Sequence, residues 1–199
     1  TDDFEIKLED EDCHTAIEKY LISQCGEVGK KIHTGRSRND QVLVDVHLYL
    51  KDVVKELKEQ VKVLFDLLME SADKHQNVLL PGYTHLQIAM PSSFGMWFSA
   101  YAESLIDDIT MLNAALKVVD QNPLGSAAGY GSSFPINRTF TTQELQFETL
   151  KFNAVAAQMS RGKAEKTVAF AMSSVAATLA KFSMDVCLYM SQNFDFIGL

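Results

Sequence analysis

Apolar residues recur at steps of three and four along three long stretches of the chain, which is the spacing of one face of an α-helix. The first stretch runs from Asn39 to about His75, the second from Ser92 to about Asp120, and the third from about residue 166 to 190. At 1.5 Å per residue, each helix would extend on the order of 40 Å. The pattern predicts an all-α fold, a bundle of long helices.

The segments between these stretches carry helix-breaking residues. Residues 77–91 contain Gly82 and two prolines, so they are predicted to form a connection, and Pro91 is placed to begin the next helix. Residues 122–138 concentrate Gly, Ser and Pro and predict a long loop, which in a compact domain indicates a function. A shorter helix is predicted over residues 143–153, and no alternating pattern predicts a strand.

The third stretch is apolar on more than one face, with many alanines and methionines. Such a helix needs neighbours on several sides, which indicates an oligomeric bundle. The net charge of −8 and the lack of a Lys/Arg cluster exclude a nucleic-acid surface, because phosphate contacts need concentrated positive charge. A local focus of arginine would still bind an anionic small molecule.

The compartment is predicted from three features. The acidic start TDDFEIKLEDEDCH has neither the basic start nor the apolar core of a signal peptide. No uninterrupted apolar run approaches the ~20 residues of a membrane span. Three isolated cysteines indicate reduced thiols. A cytoplasmic protein is therefore expected. Because the chain starts without Met and stops directly after a helical pattern, it is expected to be part of a longer protein.

The stretch TGRSRND, residues 34–40, precedes the first long helix and has two interpretations. In the structural one, Ser37 is the N-cap and Asp40 completes a capping box. In the functional one, the N–H groups of the helix start bind an anion, and Arg36, Arg38 and Asn39 add donors. Since the helix dipole favours acids rather than arginines at this end, the two arginines indicate a ligand carboxylate.

The stretch PGYTHLQ, residues 81–87, holds a candidate acid/base group. A loop histidine is more often structural, but His85 has the short polar neighbours Thr84 and Gln87. Pro81 and Gly82 fix the backbone between two long helices, and polar groups on such rigid supports are suited to aligning a substrate.

Other polar features give weaker signals. The loop NPLGSAAGYGSS has neither a Walker lysine nor a dinucleotide fingerprint, so no nucleotide site is predicted. Arg138 and Arg161 are single arginines, which usually form solvated ion pairs. His33 and His47 have no partner at metal spacing. Neither a metal nor a cofactor is predicted.

Three motifs together resemble a known family. HTGRSRNDQV, then LPGYTHLQ, then PLGS follow in the order found in the argininosuccinate lyases of the fumarase/aspartase superfamily, which includes the δ-crystallins. The resemblance spans essentially the whole chain. TGRSRNDQV is specific, because the related fumarases and adenylosuccinate lyases carry other residues before the equivalent helix.

The resemblance implies an architecture and an activity. It implies a homotetramer with a common helical core and active sites shared between subunits, cleaving argininosuccinate to arginine and fumarate without metal or cofactor. It divides the chain into the end of a small helical N-terminal domain, residues 1–36, and a central long-helix bundle, residues 37–199, incomplete at its C-terminal end.

The resemblance also implies roles for single residues. His85 is the acid/base histidine, expected to serve the leaving nitrogen. Arg38 and Asn39 hold a carboxylate of the succinyl part, helped by Thr84, and Gln87 supports His85. The full set expected to bind substrate is Ser37, Arg38, Asn39, Thr84, Gln87 and Arg161.

The sequence departs from the family pattern in two respects. The loop GSSxMPxKxN, which bears the family's catalytic serine, does not occur in these residues, so the chain alone is expected to be inactive. The segments LQIAMP, MSRGK and SAAGYG also differ from the corresponding segments of the more similar family members. These differences are expected to affect recognition of the arginine part of the substrate. Open alternatives are another fumarate-releasing lyase, a δ-crystallin-like structural protein without turnover, and a helical interaction module.

Overall fold

The computed structural model of the protein describes residues 6–198, and most of them are helical. The first five residues of the predicted N-terminal domain and residue 199 lie outside the described residues. Two 3₁₀ segments cover Leu8–Asp10 and Gly26–His33. The helices are α1 (Cys13–Cys25), α2 (Arg38–Lys74), α3 (Phe94–Val119), α4 (Arg138–Glu144), α5 (Ala154–Met159) and α6 (Lys163–Tyr189). The strands are β1 (Leu79–Thr84), β2 (Gln87–Ser93), β3 (Gln121–Asn122) and β4 (Thr149–Leu150).

The chain divides into two compact units. The first comprises the residues up to His47 together with Asp120–Arg161, and the second comprises Leu48–Val119 and the residues from Gly162 onward. The long helix α2 begins in the first unit and continues in the second.

The core of the second unit follows the spacing read from the sequence. In α2, Val54, Val61 and Leu68 lie seven residues apart and are buried. Leucines halfway between them pack against the same core, so the stripe alternates steps of four and three. Matching stripes on α3 and α6 complete the cluster. Its buried members on these two helices are Ala102, Leu105, Leu112, Ala115, Val119, Ala164, Val168, Ala171 and Val175. The three long helices and the all-α class are thereby confirmed.

Two carboxylates join α3 to α6 inside the second unit. Asp108 is 2% exposed and accepts hydrogen bonds from the hydroxyls of Ser174 (2.5 Å) and Thr178 (2.7 Å). Asp185 accepts from Trp97 Nε1 (3.0 Å) and the Tyr101 hydroxyl (2.6 Å). Because a buried polar group needs partners in one particular arrangement, these bonds help to fix the register of the two helices.

In the first unit, the short helices begin at asparagines. Asn137 caps α4 by accepting from the N–H of Phe140, and Asn153 caps α5 by accepting from the N–H of Ala156. The prediction of one helix over residues 143–153 is wrong. Gln146 has a positive φ of 55°, which ends the helical path, and β4 then pairs in parallel with β3. The asparagine caps mark the two true helix starts.

The connection predicted over residues 77–91 is a β-hairpin. β1 and β2 pair antiparallel, with Thr84 opposite Gln87 and a bulge between Gly82 and Tyr83. The two prolines, Pro81 and Pro91, face each other. Proline is tolerated in such a pair where its missing N–H would point away from the partner strand. The prolines argued against a strand in the sequence, and the turn residues His and Leu gave no hairpin signal.

Helix α6 exposes much apolar surface within this chain. Phe170 and Met184 are each 69% exposed, and its mean hydropathy over an 18-residue window reaches 1.3. By length and composition alone this helix would suffice to cross a bilayer, which is weak evidence, because a core helix of a helical assembly passes the same test.

Candidate active site

Helix α2 starts as the capping interpretation predicted. The Asp40 carboxylate accepts from the backbone N–H of Ser37 at 2.8 Å through Oδ1. Ser37 Oγ accepts from the N–H of Asn39 at 3.2 Å. These reciprocal bonds give acceptors to two backbone N–H groups that would have no hydrogen-bond partner within an uncapped helix. The cap therefore fixes the backbone of Arg38 and Asn39, the two residues predicted to bind a substrate carboxylate.

The guanidinium of Arg38 is partly engaged within the first unit. Its Nε lies 3.2 Å from Asp12 Oδ2, and its Nη2 donates to Thr15 Oγ1 at 3.1 Å. A hydrogen bond from the Thr15 backbone, followed by the Arg38 charge among smaller effects, lowers the pKa of Asp12. Within residues 6–198, Nη1 of Arg38 makes no hydrogen bond. Asp12 and Thr15 therefore orient the Nε and Nη2 groups of Arg38, and its Nη1 group is available to donate to a ligand.

Arg161 lies beside the same helix start. Its Nη2 donates to the backbone carbonyl of Asn39 at 3.1 Å. Asn39 itself is exposed, and its side-chain amide makes no hydrogen bond among the residues that the structure describes. The structure thus brings together Ser37, Arg38, Asn39 and Arg161 from the predicted set.

A polar cleft of about 200 Å³ borders this cluster. Arg36 and Arg38 supply its positive charge, while Glu18 and the pair His14–Asp45, 3.6 Å apart, balance it. Burial raises the pKa of Asp45, partly offset by His14. The cleft has the mixed charge that suits a polar ligand with both donors and acceptors.

The loop over residues 122–131 is anchored to the start of α2. The second oxygen of Asp40 accepts from the N–H of Gly125 at 2.9 Å and of Ala127 at 3.0 Å. Asp40 is 0% exposed. Its carboxylate therefore holds three backbone donors, two of them more than eighty positions away in sequence.

Arg138 holds the opposite side of this loop. Its Nε donates to the Leu124 carbonyl at 2.8 Å, and its Nη2 donates to the Lys151 carbonyl at 2.8 Å. Burial lowers the pKa of Arg138, and the Asp40 charge acts against that shift. Arg138 is thus a structural cation satisfied by carbonyls, not the solvated ion pair that single arginines usually form.

Sequence reasoning missed several residues that shape this loop. Asn122 is buried, accepts from the Leu124 N–H and donates to Thr142 Oγ1. Gln158 donates to Ser126 Oγ at 3.0 Å and to the Ala127 carbonyl at 3.1 Å. The available signal was the cluster of Gly, Ser and Pro, which marks a loop but does not name its distant partners.

The other predicted group lies at the tip of the hairpin in the second unit. His85 and Leu86 form a two-residue turn with φ of 50° and 60°. Two positive φ values in succession are typical of a type I′ hairpin turn, which favours Asn-Gly. Non-glycine residues at both positions store backbone strain, a feature found at functional sites.

The polar side chains at this tip are exposed. Thr84 and Gln87 face each other across the strands, so their side chains share one face beside His85. Within residues 6–198, the side chains of Thr84, His85 and Gln87 make no hydrogen bond. The turn presents an imidazole and two polar groups to solvent on a short rigid support.

Aromatic contacts hold the base of this tip. Tyr83 packs edge-on against Phe194, with ring centroids 5.3 Å apart, and Phe194 contacts Tyr189 at 6.3 Å. Tyr189 in turn packs against Trp97 at 5.5 Å. Burial, and then the charge of Asp185, raise the pKa of Tyr189. Aromatic packing therefore helps to anchor the hairpin in the second unit.

The arrangement offers two kinds of chemistry. The start of α2 provides cationic and neutral donors, which suit a carboxylate or a developing oxyanion. The hairpin tip provides an exposed imidazole, the side chain that most often serves in general acid–base catalysis. Among the described residues, no group of three or more His, Cys, Asp or Glu side chains is placed to hold a metal ion.

The chain is similar to curated argininosuccinate lyases. It is 58% identical to the argininosuccinate lyase of Parabacteroides distasonis over 189 residues, which cover 95% of the chain and 42% of that protein. It is 55% identical to that of Phocaeicola vulgatus (98% and 44% covered) and 43% identical to that of Xanthomonas oryzae pv. oryzae (95% and 44%). The chain thus spans less than half the length of these relatives.

Solved structures show the same fold. An EDDS lyase in complex with formate matches with a TM-score of 0.85 at 24% identity, covering 90% of the chain and 36% of that protein. A fumarate lyase from Mesorhizobium sp. BNC1 matches with a TM-score of 0.79 at 20% identity, covering 97% and 48%. The family model described as Lyase matches residues 1–199. The resemblance to the fumarase/aspartase superfamily is confirmed, and the chain belongs to this lyase family.

Proposed function

We propose that the protein carrying this chain is an argininosuccinate lyase, which eliminates fumarate from argininosuccinate to give arginine in arginine biosynthesis. The observation that supports this best is the 58% identity to a curated argininosuccinate lyase over 95% of the chain. That stretch includes both TGRSRND and PGYTHLQ. The motifs correspond to a rigid donor site and an exposed histidine.

In this proposal the start of α2 binds a carboxylate of the succinyl part. Arg38 supplies Nη1, since its other donors are oriented by Asp12 and Thr15. Asn39 and Ser37 add neutral donors at this helix start. Thr84, at the hairpin tip in the second unit, stays a predicted substrate-binding residue. Arg161, which donates to the Asn39 carbonyl, lies beside the same helix start and is proposed to help bind the substrate.

The proposed reaction breaks a C–H bond and a C–N bond. A base removes the proton from the carbon next to a succinyl carboxylate, and the electron pair forms the double bond of fumarate as the C–N bond breaks. The guanidino nitrogen leaves with a proton donated by His85, and arginine is formed. Gln87 supports the imidazole. The base is the serine of the family loop GSSxMPxKxN, which does not occur in these residues.

The proposed assembly is a homotetramer whose active sites draw residues from several subunits. The exposed apolar positions of α3 and α6 support it, including Met96 (68% exposed), Ile106 (53%), Phe170 (69%) and Met184 (69%). Unpartnered apolar faces of long helices are typical of helices buried between subunits. We further propose a cytoplasmic location and a domain boundary near residues 36 and 37.

The test is fumarate release by the complete protein, with argininosuccinate and adenylosuccinate supplied in parallel. We expect turnover of argininosuccinate and none of adenylosuccinate. Turnover of adenylosuccinate alone would assign another substrate within the family. A folded protein inactive on both would favour a δ-crystallin-like structural role. The 199-residue chain, assayed beside it, is expected to be inactive.

A further inference from the structure

We infer that Asp40 is a positioning residue for substrate binding. Its buried carboxylate ties the loop over residues 122–131 to the start of α2 and so sets the direction in which Arg38 and Asn39 present their donors. This inference rests on the proposed function. It extends that proposal to a residue that the family motifs explain only as a helix cap.

The Asp40 carboxylate binds backbone donors with both of its oxygens. One carboxylate oxygen accepts from the Ser37 N–H at 2.8 Å, and the other accepts from Gly125 at 2.9 Å and Ala127 at 3.0 Å. Such charge-assisted bonds are stronger than bonds between neutral groups. Because the carboxylate is fully buried, water cannot replace any of these donors. A helix cap alone would need only the first of the three bonds.

Arg138 constrains the same loop from the side opposite Asp40. Within the loop, Arg138 donates to the Leu124 carbonyl at 2.8 Å and to the Pro123 carbonyl at 3.5 Å. The loop therefore lies between a buried anion that accepts from its amides and a cation that donates to its carbonyls. Gly125 has a φ of 89°, and a Cβ there would lie 2.7 Å from Arg138 Cγ. The loop therefore has little room to move, and the Asp40 carboxylate bound to it is held in place as well.

The bonds of Asp40 also constrain the residues proposed to bind the substrate. Arg38 and Asn39 lie between two residues joined by the Ser37 to Asp40 bond. Arg161 also fixes the Asn39 carbonyl. Charge-assisted bonds to a carboxylate have donor–acceptor distances of about 2.7–2.9 Å, so a displacement of roughly 1 Å weakens them strongly. Rotation of the first turn of α2 would thus reduce substrate affinity.

The experiment compares steady-state constants of three variants of the complete protein with argininosuccinate. Asp40→Asn keeps the shape but places an N–H₂ group toward backbone N–H donors. Gly125→Ala disturbs the same loop from the Arg138 side. Both are expected to raise KM by about tenfold or more and to change kcat by less than about threefold.

The matched control is Asp108→Asn, another buried carboxylate with hydrogen-bond donors, here the hydroxyls of Ser174 and Thr178. It is expected to lower the melting temperature with KM unchanged. If the wild-type protein is active, an unchanged KM in Asp40→Asn, or a decrease in kcat alone, overturns the inference. If Asp40→Asn does not fold, Gly125→Ala decides by the same criterion. A wild-type protein that releases no fumarate overturns the proposed function and this inference together.

Discussion

The start of α2 and the tip of the β1–β2 hairpin hold polar groups in opposite ways. At the start of α2, backbone donors and acceptors are satisfied inside the first unit, around a buried Asp40 and a largely engaged Arg138. At the hairpin tip, His85 lies in a strained turn with its side chain exposed. A rigid donor site suits binding, whereas an exposed histidine on a short support suits proton transfer. The difference predicts KM effects in the first region and kcat effects in the second.

The largest effect predicted for the start of α2 is on the KM for argininosuccinate. Arg38→Met removes the proposed charged donor to the substrate carboxylate, and a hydrogen bond to a charged group contributes about 1.5–3 kcal/mol. KM for argininosuccinate is therefore expected to rise by about 10- to 100-fold, measured by fumarate release.

The matched control for this variant is Arg36→Met, which removes the same charge two residues earlier. Arg36 lines the same cleft but makes no ion pair within residues 6–198. We expect its KM to stay within about threefold of the wild-type value. Equal increases for both variants would show that general positive charge, not the Arg38 donor, attracts the substrate.

A second prediction concerns stability at high pH in the second unit. Burial, and then the hydrogen bond to Asp185, raise the pKa of Tyr101 above its usual value. Above about pH 10 the unfolded chain loses this proton while the folded protein keeps it. The free energy of unfolding therefore falls as pH rises from about 10 toward the folded pKa. Tyr101→Phe is expected to make this decline shallower in denaturant titrations between pH 9 and 11. An identical slope in both proteins would contradict the role given to Tyr101.

The smallest predicted effect tests the strain at the hairpin tip. Leu86 is 73% exposed and has a φ of 60°, a conformation that costs a non-glycine residue about 1–2 kcal/mol. Leu86→Gly removes that cost but adds freedom to the unfolded chain, so the free energy of unfolding is expected to rise by about 0.5 kcal/mol.

The control for this prediction is Leu79→Gly on the same hairpin. Leu79 is 80% exposed and lies in the extended strand β1, where glycine is less favourable by about 0.5–1 kcal/mol. The two variants should therefore change stability in opposite directions in chemical denaturation. Equal destabilisation would argue that the turn at Leu86 is not strained.

The sequence predicted the features that depend on local periodicity. The three long helices follow from stripes such as Val54, Val61 and Leu68, and the cap at Ser37 follows from local residue preferences. The hairpin was missed because two prolines and a His-Leu turn oppose the usual strand signals. Contacts between Asp40 and Gly125 join residues more than eighty positions apart, and no local pattern reports them. The roles assigned to Arg38, Asn39, Thr84, His85 and the other site residues stay predictions.

The most direct test of the account is the kcat of the His85→Asn variant of the complete protein with argininosuccinate. We predict a fall of more than about 100-fold with KM nearly unchanged, because general acid catalysis contributes about 10²–10⁴-fold. His75→Asn, directly after the last residue of α2 and in the same unit as His85, should keep wild-type kcat and serves as the control. A kcat for His85→Asn within about threefold of wild type, in a folded protein, would contradict the assignment of the hairpin histidine as the proton donor.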